Sequence, residues 1–390
     1  PDAYFTLQIG VLVFCLSNAA APIAAVVPGF QRMDMQFNAS VITQTLMAAG
    51  TVAVLESGYG VRGLILNNLC VAVVNAGLMS HYAWKIYPEL RLSLRYYSGA
   101  KAKTMLAYGT NLQVSKIAQI ITFQTDRIFS LRFFGTASAA HYDLGVRVNS
   151  AARTVTASLV TALIPAVSEL ETLDKKAQLA ALYERGTKYI VTLATFLFIF
   201  ILVFADPLVL AWLGSGYEQT VVFVRILTIG YYANIVTAVS SAMTAGLGRT
   251  DIDRNYGILM GIVNIVLTIT LALTVGPYGI AIATSVSLTV GALYFLGAFH
   301  KSFGLRHWTI ARIFIRPIIY GALSLSLVRW LLFSVITGHP LIMIILGTGA
   351  GIVVYGVLCI VGGVFDEYDR GKLTQVIASI KTKLTGKGGN

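Results

Sequence analysis

Charge is scarce in this chain of 390 residues. Asp, Glu, Lys and Arg together supply 12% of it, about half the share usual in soluble domains. That excludes a soluble globular protein and a charge-rich disordered chain. Cysteine is rarer still, and Cys15, Cys70 and Cys359 all sit in apolar runs, which argues against a disulfide framework or a thiolate metal site. His81 and His141 have no partners at metal-ligand spacing. The chain has no P-loop, no Gly-rich dinucleotide fingerprint, no HExxH and no GxSxG. The sequence therefore predicts no catalytic residues, no cofactor and no metal. Work must come from an ion gradient, a substrate gradient or downstream consumption. Acidic residues are outnumbered, 17 against 29 basic ones, for a formal charge of +12. In a membrane protein such an excess reports orientation and anionic lipid, not nucleic acid.

Apolar sequence is what the chain has in quantity: 56% hydrophobic residues and a mean hydropathy of +0.74. Eleven apolar runs are long enough to span a bilayer, at about 20 residues each. They lie near 6–28, 38–56, 61–84, 104–126, 138–166, 188–211, 219–246, 255–275, 278–299, 311–334 and 342–364. Such spans must be helices, because a lone helix satisfies its own backbone in lipid and the runs are too long for barrel strands. The connections alternate in charge. One set, from Arg32 to the tail, holds 21 basic residues; the other holds only Arg62, Arg127 and Arg132. The positive-inside rule places the first set, and the C-terminus, in the cytoplasm. Eleven spans then put Pro1 outside, and a native N-terminus inside requires an odd number of missing helices, for a total of twelve or fourteen. The start at Pro1-Asp2 and a first run too long for a signal peptide fit an absent N-terminal portion. Segments 88–103 and 168–187 read as amphipathic surface helices with basic faces, and the tail 365–390 as another.

Span 138–166 carries the strongest signal. On a helical wheel Asp143, Ser150, Thr154, Ser158 and Thr161 fall within about 60° of Arg147, and Arg153 widens the polar face. Ionised groups at membrane depth normally face a cavity or a partner. The stripe is either a cationic wall of an aqueous cleft or a helix seam in which Asp143 and Arg147 neutralise each other at i,i+4. Span 104–126 repeats the pattern with Tyr108, Asn111, Ser115, Gln119, Thr122 and Asp126 on one broad face and Lys116 at its edge. Lys116 meets either a substrate phosphate or a carboxylate on another helix. Asp126 and Arg127 lie near the predicted outer end, where a solvated cap is the plainer alternative. Arg225 lines a cavity or snorkels to the outer interface, and Arg329 reads as snorkelling. Asn67, Asn68 and Asn75 serve either amide packing between helices, the favoured reading, or ligand contact. Pro22, Pro165 and Pro207 mark bends or boundaries.

Residues 125–135, with Thr125-Asp126-Arg127-Ile128 and Phe134-Gly135, run on to His141-Tyr142-Asp143-Leu144-Gly145-Val146-Arg147-Val148. Ile164-Pro165-Ala166-Val167-Ser168, Ala245-Gly246-Leu247-Gly248-Arg249 and Pro28-Gly29-Phe30-Gln31-Arg32 complete the set. In these stretches the chain resembles the bacterial polysaccharide biosynthesis, or O-antigen flippase, family of the multidrug/oligosaccharidyl-lipid/polysaccharide exporter superfamily. The resemblance implies an all-α polytopic membrane protein, an N-terminally truncated form of a fourteen-helix, two-lobe exporter fold. Residues 1–97 would be the last three helices of the N-terminal lobe with a cytoplasmic linker. A complete six-helix lobe would follow over 98–300, two additional helices over 301–365 and a basic tail over 366–390. It also implies a substrate, an undecaprenyl-diphosphate-linked glycan moved across the bacterial inner membrane by alternating access. Membrane lipids, and a polysaccharide polymerase with its export machinery, would be partners. Arg147 and Arg153, then Lys116 and Arg225, are the expected contacts to the diphosphate. Asp143, Asp126, Gln119, Ser150 and Thr154 are expected to line the cavity or couple an ion. The alternative is an ion-coupled exporter of cationic drugs with the same architecture, against which the basic intramembrane excess argues.

Overall fold

The computed structural model describes residues 2–30, 32–90, 98–161, 163–172, 175–247, 249–304, 307–335, 339–366, 369 and 371. Side chains are described outside 2–3, 107–123, 161, 164–166, 168, 172, 176, 250, 307–312, 333 and 335. Every regular element among them is an α-helix. Nine described helices are long and apolar enough to cross a membrane: Tyr4–Gly29, Met33–Glu56, Gly60–Ile86, Ala177–Val203, Glu218–Gly246, Asp251–Val275, Pro277–Phe303, Ile313–Leu332 and Pro340–Val361. They coincide with nine of the eleven runs read from the sequence, and the protein is a multi-pass membrane protein. The other two runs, 104–126 and 138–166, lie largely within one long helical segment.

The chain divides into two compact units, Pro1–Lys103 and Thr104–Asn390. In the first, α1 (Asp2–Ala24) and a short α2 (Val26–Gly29) precede α3 (Met33–Glu56) and α4 (Gly60–Ile86). Helix α4 packs along both α1 and α3. The Asn67 amide of α4 donates to the Met47 carbonyl of α3 at 3.2 Å, so this amide serves helix packing. The buried core is small, Val27, Ala39, Met79 and Ala83. Large apolar side chains such as Leu7, Phe14 and Phe37 stand exposed, as a lipid-facing surface requires.

Among the described residues, the second unit holds ten helical segments. Helix α5 (Gly99–Thr161) is broken at Gly135, where φ is 80° and ψ −179°. That conformation is essentially restricted to glycine, so Gly135 separates two helices, 99–134 and 136–161. There follow α6 (Leu163–Thr172), α7 (Lys176–Val203), α8 (Ala205–Leu213), α9 (Glu218–Val236), α10 (Ala238–Gly246), α11 (Thr250–Val275), α12 (Pro277–Phe303), α13 (His307–Val335) and α14 (Pro340–Val361). Helix α12 packs along both α9 and α11, around a core that includes Tyr231, Phe223, Phe295 and Phe299. Helices α13 and α14 pack on α7 and α8. A ladder of Phe196, Phe200 and Phe204 faces them, with the last two rings stacked at 4.6 Å. On α14, a Cβ at Gly347 would lie 2.6 Å from Phe204, and one at Gly351 would lie 2.7 Å from Leu325.

The expected surface helix over 168–187 does not stand alone. Its first part belongs to α6 and the rest runs without a break into the span as α7. The physical reason is its apolar face: Leu179 and Tyr183 are buried against protein, with the Tyr183 ring 4.9 Å from Phe299 and its hydroxyl 2.8 Å from His300 Nε2. Most of the expected surface helix 88–103 and nearly all of the tail 365–390 fall outside the described residues. At the end of α14 the chain is fastened to α7. Lys188 and Tyr189 donate to the Asp369 carboxylate, and Lys188 also reaches Asp366 at 3.2 Å. Asp366 and Asp369 each accept the other's backbone N–H, at 3.0 and 3.1 Å, the reciprocal pattern of a capping box. Burial alone would raise the Asp369 pKa, but the hydrogen bonds from Lys188, Tyr189 and Asp366 outweigh it and hold the group at about 2.

Candidate functional site

The half of α5 after Gly135 is two-sided. Tyr142, Asn149, Ala152, Thr156 and Val160 are buried. Asn149 fixes this face by donating to the Val224 carbonyl of α9 at 3.2 Å. The other face carries the stripe read from the sequence. Arg147 Nε donates to Asp143 Oδ2 at 2.9 Å, one helical turn away, and Arg127 Nη1 lies 3.9 Å from Asp143 Oδ1. Two guanidiniums on one carboxylate leave the group net positive. The Arg147 side chain is 66% exposed, whereas Asp143 is 24% exposed. The i,i+4 pair is therefore present, and it does not hide the arginine. Beyond it, Thr154 returns its hydroxyl to the Ser150 carbonyl at 2.9 Å and Ser158 to the Val155 carbonyl at 2.8 Å.

Arg153 parts from this face. It lies six residues beyond Arg147, so the helix turns it about 120° away. It lines a cavity of about 270 Å³ inside the unit, with Asn234, Ser241, Asp253 and Tyr256. The two arginines that the sequence placed on one widened wall thus serve two different places.

Asp126 overturns the solvated-cap alternative. Its side chain is wholly buried. Four donors surround the carboxylate: Thr284 at 2.5 Å, Thr268 at 2.9 Å, Tyr142 at 3.1 Å and Asn264 at 3.3 Å. They come from α12, α11 and the second half of α5. Asn264 Oδ1 is buried and has no hydrogen-bond partner among the described residues. A carboxylate, an amide oxygen and hydroxyl oxygens gathered in a dry core form a hard-donor set. Such a set suits a proton or a small hard cation, which prefers oxygen ligands.

Arg225 pairs with Asp206 of α8 at 2.6 Å, and Arg329 of α13 reaches the same carboxylate oxygen at 3.1 Å. Arg329 also lies 5.8 Å from the centre of the Phe204 ring. The expectation that Arg329 merely snorkels is corrected: both arginines bind one acid and tie α13 to α8 and α9. The side chains of Lys116 and Gln119 lie outside the described residues. The sequence reading missed Asp206, Asn234, Asp253, Asn264, Thr268 and Thr284. The sequence signal for the Asp126 partners is slight: Asn264 and Thr268 stand at i,i+4, but Thr270 and Thr274 share the same span.

Known proteins place this arrangement. The family model described as "Polysaccharide biosynthesis protein" matches residues 1–222. The probable low-salt glycan biosynthesis flippase Agl15 of Haloferax volcanii is 20% identical over 352 residues, covering 88% of this chain and 71% of that protein. Among solved structures, the lipid II flippase MurJ in an inward closed conformation superposes with a TM-score of 0.70 at 16% identity, over 91% of this chain and 73% of MurJ. A MATE protein in a bent conformation gives 0.59 at 14% identity, over 79% and 69%. The chain thus shares the fold of MurJ and of the MATE protein, and the family match covers more than half of the sequence. The chain belongs to the polysaccharide biosynthesis protein family.

Proposed function

We propose that this protein flips a diphosphate-linked oligosaccharide, such as an O-antigen, capsule or exopolysaccharide repeat unit on undecaprenol, across the bacterial inner membrane. The observation that carries the reading is the net positive group Arg127–Asp143–Arg147 on an exposed face of a helix within a membrane protein. Arg147 falls within the apolar run 138–166, where charge is costly without an aqueous or anionic partner, and guanidinium is suited to bidentate contact with phosphate oxygens. Membership of the polysaccharide biosynthesis family and the similarity to a protein named as a glycan flippase support the same substrate class. Rocking of one lobe against another, as in other repeat-built transporters, supplies alternating access, with the C-terminus cytoplasmic. The buried Asp126 group is the site at which a proton or cation couples to that movement.

A second reading, an ion-coupled exporter of cationic drugs, draws on the same Asp126 group and on the MATE-like fold. It needs an open carboxylate for its ligand. The acid on the exposed face, Asp143, is already held by two arginines, which favours an anionic substrate.

The test is Arg147→Glu in the full-length protein, in a cell whose surface glycan depends on it. The expected result is loss of surface glycan with unchanged membrane insertion, and partial recovery with Arg147→Lys. Normal export by Arg147→Glu overturns the reading.

A further inference from the structure

The cavity beside Arg153 has a use that the exposed face does not explain. It lies between α5, α9, α10 and α11 and measures about 270 Å³. Sites for whole small ligands run from about 300 to 1,000 Å³, so this one takes a fragment of a ligand, one ring and not a chain of them. Its wall carries hydrogen-bonding groups of both kinds. Asp253, in the first turn of α11, accepts the Ser241 hydroxyl at 2.8 Å and the Thr244 hydroxyl at 2.5 Å. A carboxylate has about four lone-pair sites, so two hydroxyls do not exhaust it. Asn234 gives one amide proton to the Tyr256 hydroxyl at 2.6 Å, and its amide has a second proton and a carbonyl oxygen besides. Arg153 adds a guanidinium, and alanines of α5 and α10 supply an apolar floor.

Charge decides what fits. A phosphate entering this cavity meets the Asp253 carboxylate, and an ammonium meets the Arg153 guanidinium; either buries like charges together. A neutral polyhydroxyl ring meets neither obstacle. Its hydroxyls donate to Asp253 and accept from Arg153 and Asn234, while its C–H face lies on the alanines.

We propose that this cavity is a subsite for one neutral sugar ring of the transported lipid-linked glycan. The proposal rests on the flippase reading and gives Arg153 a different task from Arg147: recognition of the sugar, apart from the diphosphate.

The experiment measures binding of undecaprenyl diphosphate to the full-length protein in lipid nanodiscs. The lipid is used bare or bearing a single glucose, galactose, N-acetylglucosamine or N-acetylgalactosamine. At least one sugar-bearing lipid is expected to bind about tenfold tighter than the bare one, the worth of one or two net hydrogen bonds. Ala245→Phe, which fills the cavity from an exposed position, and Asn234→Ala each erase that gain. Neither changes the affinity for bare lipid, which also reports that the variants are folded. If no sugar improves on bare lipid, or the gain survives both variants, the subsite is overturned while the flippase reading stands. If neither bare nor glycosylated lipid binds, both fall.

Discussion

Removing the Asp126 carboxylate tests its two roles separately. In Asp126→Ala four donors lose an acceptor, but they do not lose equally. Thr284 also donates to the Ile280 carbonyl at 2.9 Å, and Thr284 and Tyr142 are 3.2 Å apart, close enough to bond each other. The uncompensated donors are Thr268 and the Asn264 amide, both wholly buried. At about 1–3 kcal/mol for each unsatisfied buried group, the variant loses about 2–6 kcal/mol of stability. Asp126→Asn keeps the shape and one acceptor oxygen, and its amide nitrogen can donate to a threonine hydroxyl; its cost is about 1 kcal/mol. Thermal unfolding of the purified full-length protein reads both values. Transport into proteoliposomes, at varied pH and sodium, reads the second role: Asp126→Asn is folded yet loses the dependence of rate on the coupling ion. An unchanged melting temperature in Asp126→Ala refutes the structural argument. Wild-type ion dependence in Asp126→Asn refutes the coupling assignment.

Two further outcomes follow from the geometry. Asp369 has a depressed pKa of about 2, so its contribution is present above the unfolded carboxylate pKa of about 4 and is lost as pH falls towards 2. The attachment of the segment after α14 to α7 is therefore expected to loosen over that window. Amide exchange across 362–366, corrected for intrinsic rates, should rise there in the native protein, whereas Asp369→Asn should show high exchange already at pH 7. A rate independent of the substitution would refute the role of Asp369. Gly347→Ala places a methyl group 2.6 Å from the Phe204 ring, an overpacking worth about 1–3 kcal/mol; equal melting temperatures for variant and parent would show that the contact yields freely.

What the sequence made legible was whatever depends on one helix at a time. Length and hydropathy located nine spans, because burial in lipid imposes a composition on each span separately. The Arg147 stripe was visible for the same reason, since i and i+4 neighbours share a face whatever the helix packs against. The break within α5 falls at Phe134-Gly135, part of the stretch that carries the family resemblance, and Gly135 has a backbone that requires glycine. The Asp126 group was not legible, because Thr268 and Thr284 look like any hydroxyls that satisfy themselves on their own helix. Only tertiary contact turns them towards an acid more than a hundred positions away. Arg329 looked like a side chain reaching for the interface, and the pairing of Arg225 was open, for an equivalent reason: their partner, Asp206, belongs to a short helix whose direction the sequence does not specify. The cavity that Arg153 lines was not legible because a wheel gives an angle but not which neighbour occupies it.

The seating of α14 has a consequence for how the molecule works in its bilayer. The Gly351 notch receives Leu325 of α13 and locks the terminal pair together, and the Gly347 notch receives Phe204 at the α7–α8 junction, so the pair is keyed to that junction and cannot slide independently of it. In the proposed cycle the pair travels as ballast with every swing. The acyl chains around it must be displaced each time, and membrane thickness and lateral pressure then set part of the turnover rate of the proposed transport cycle.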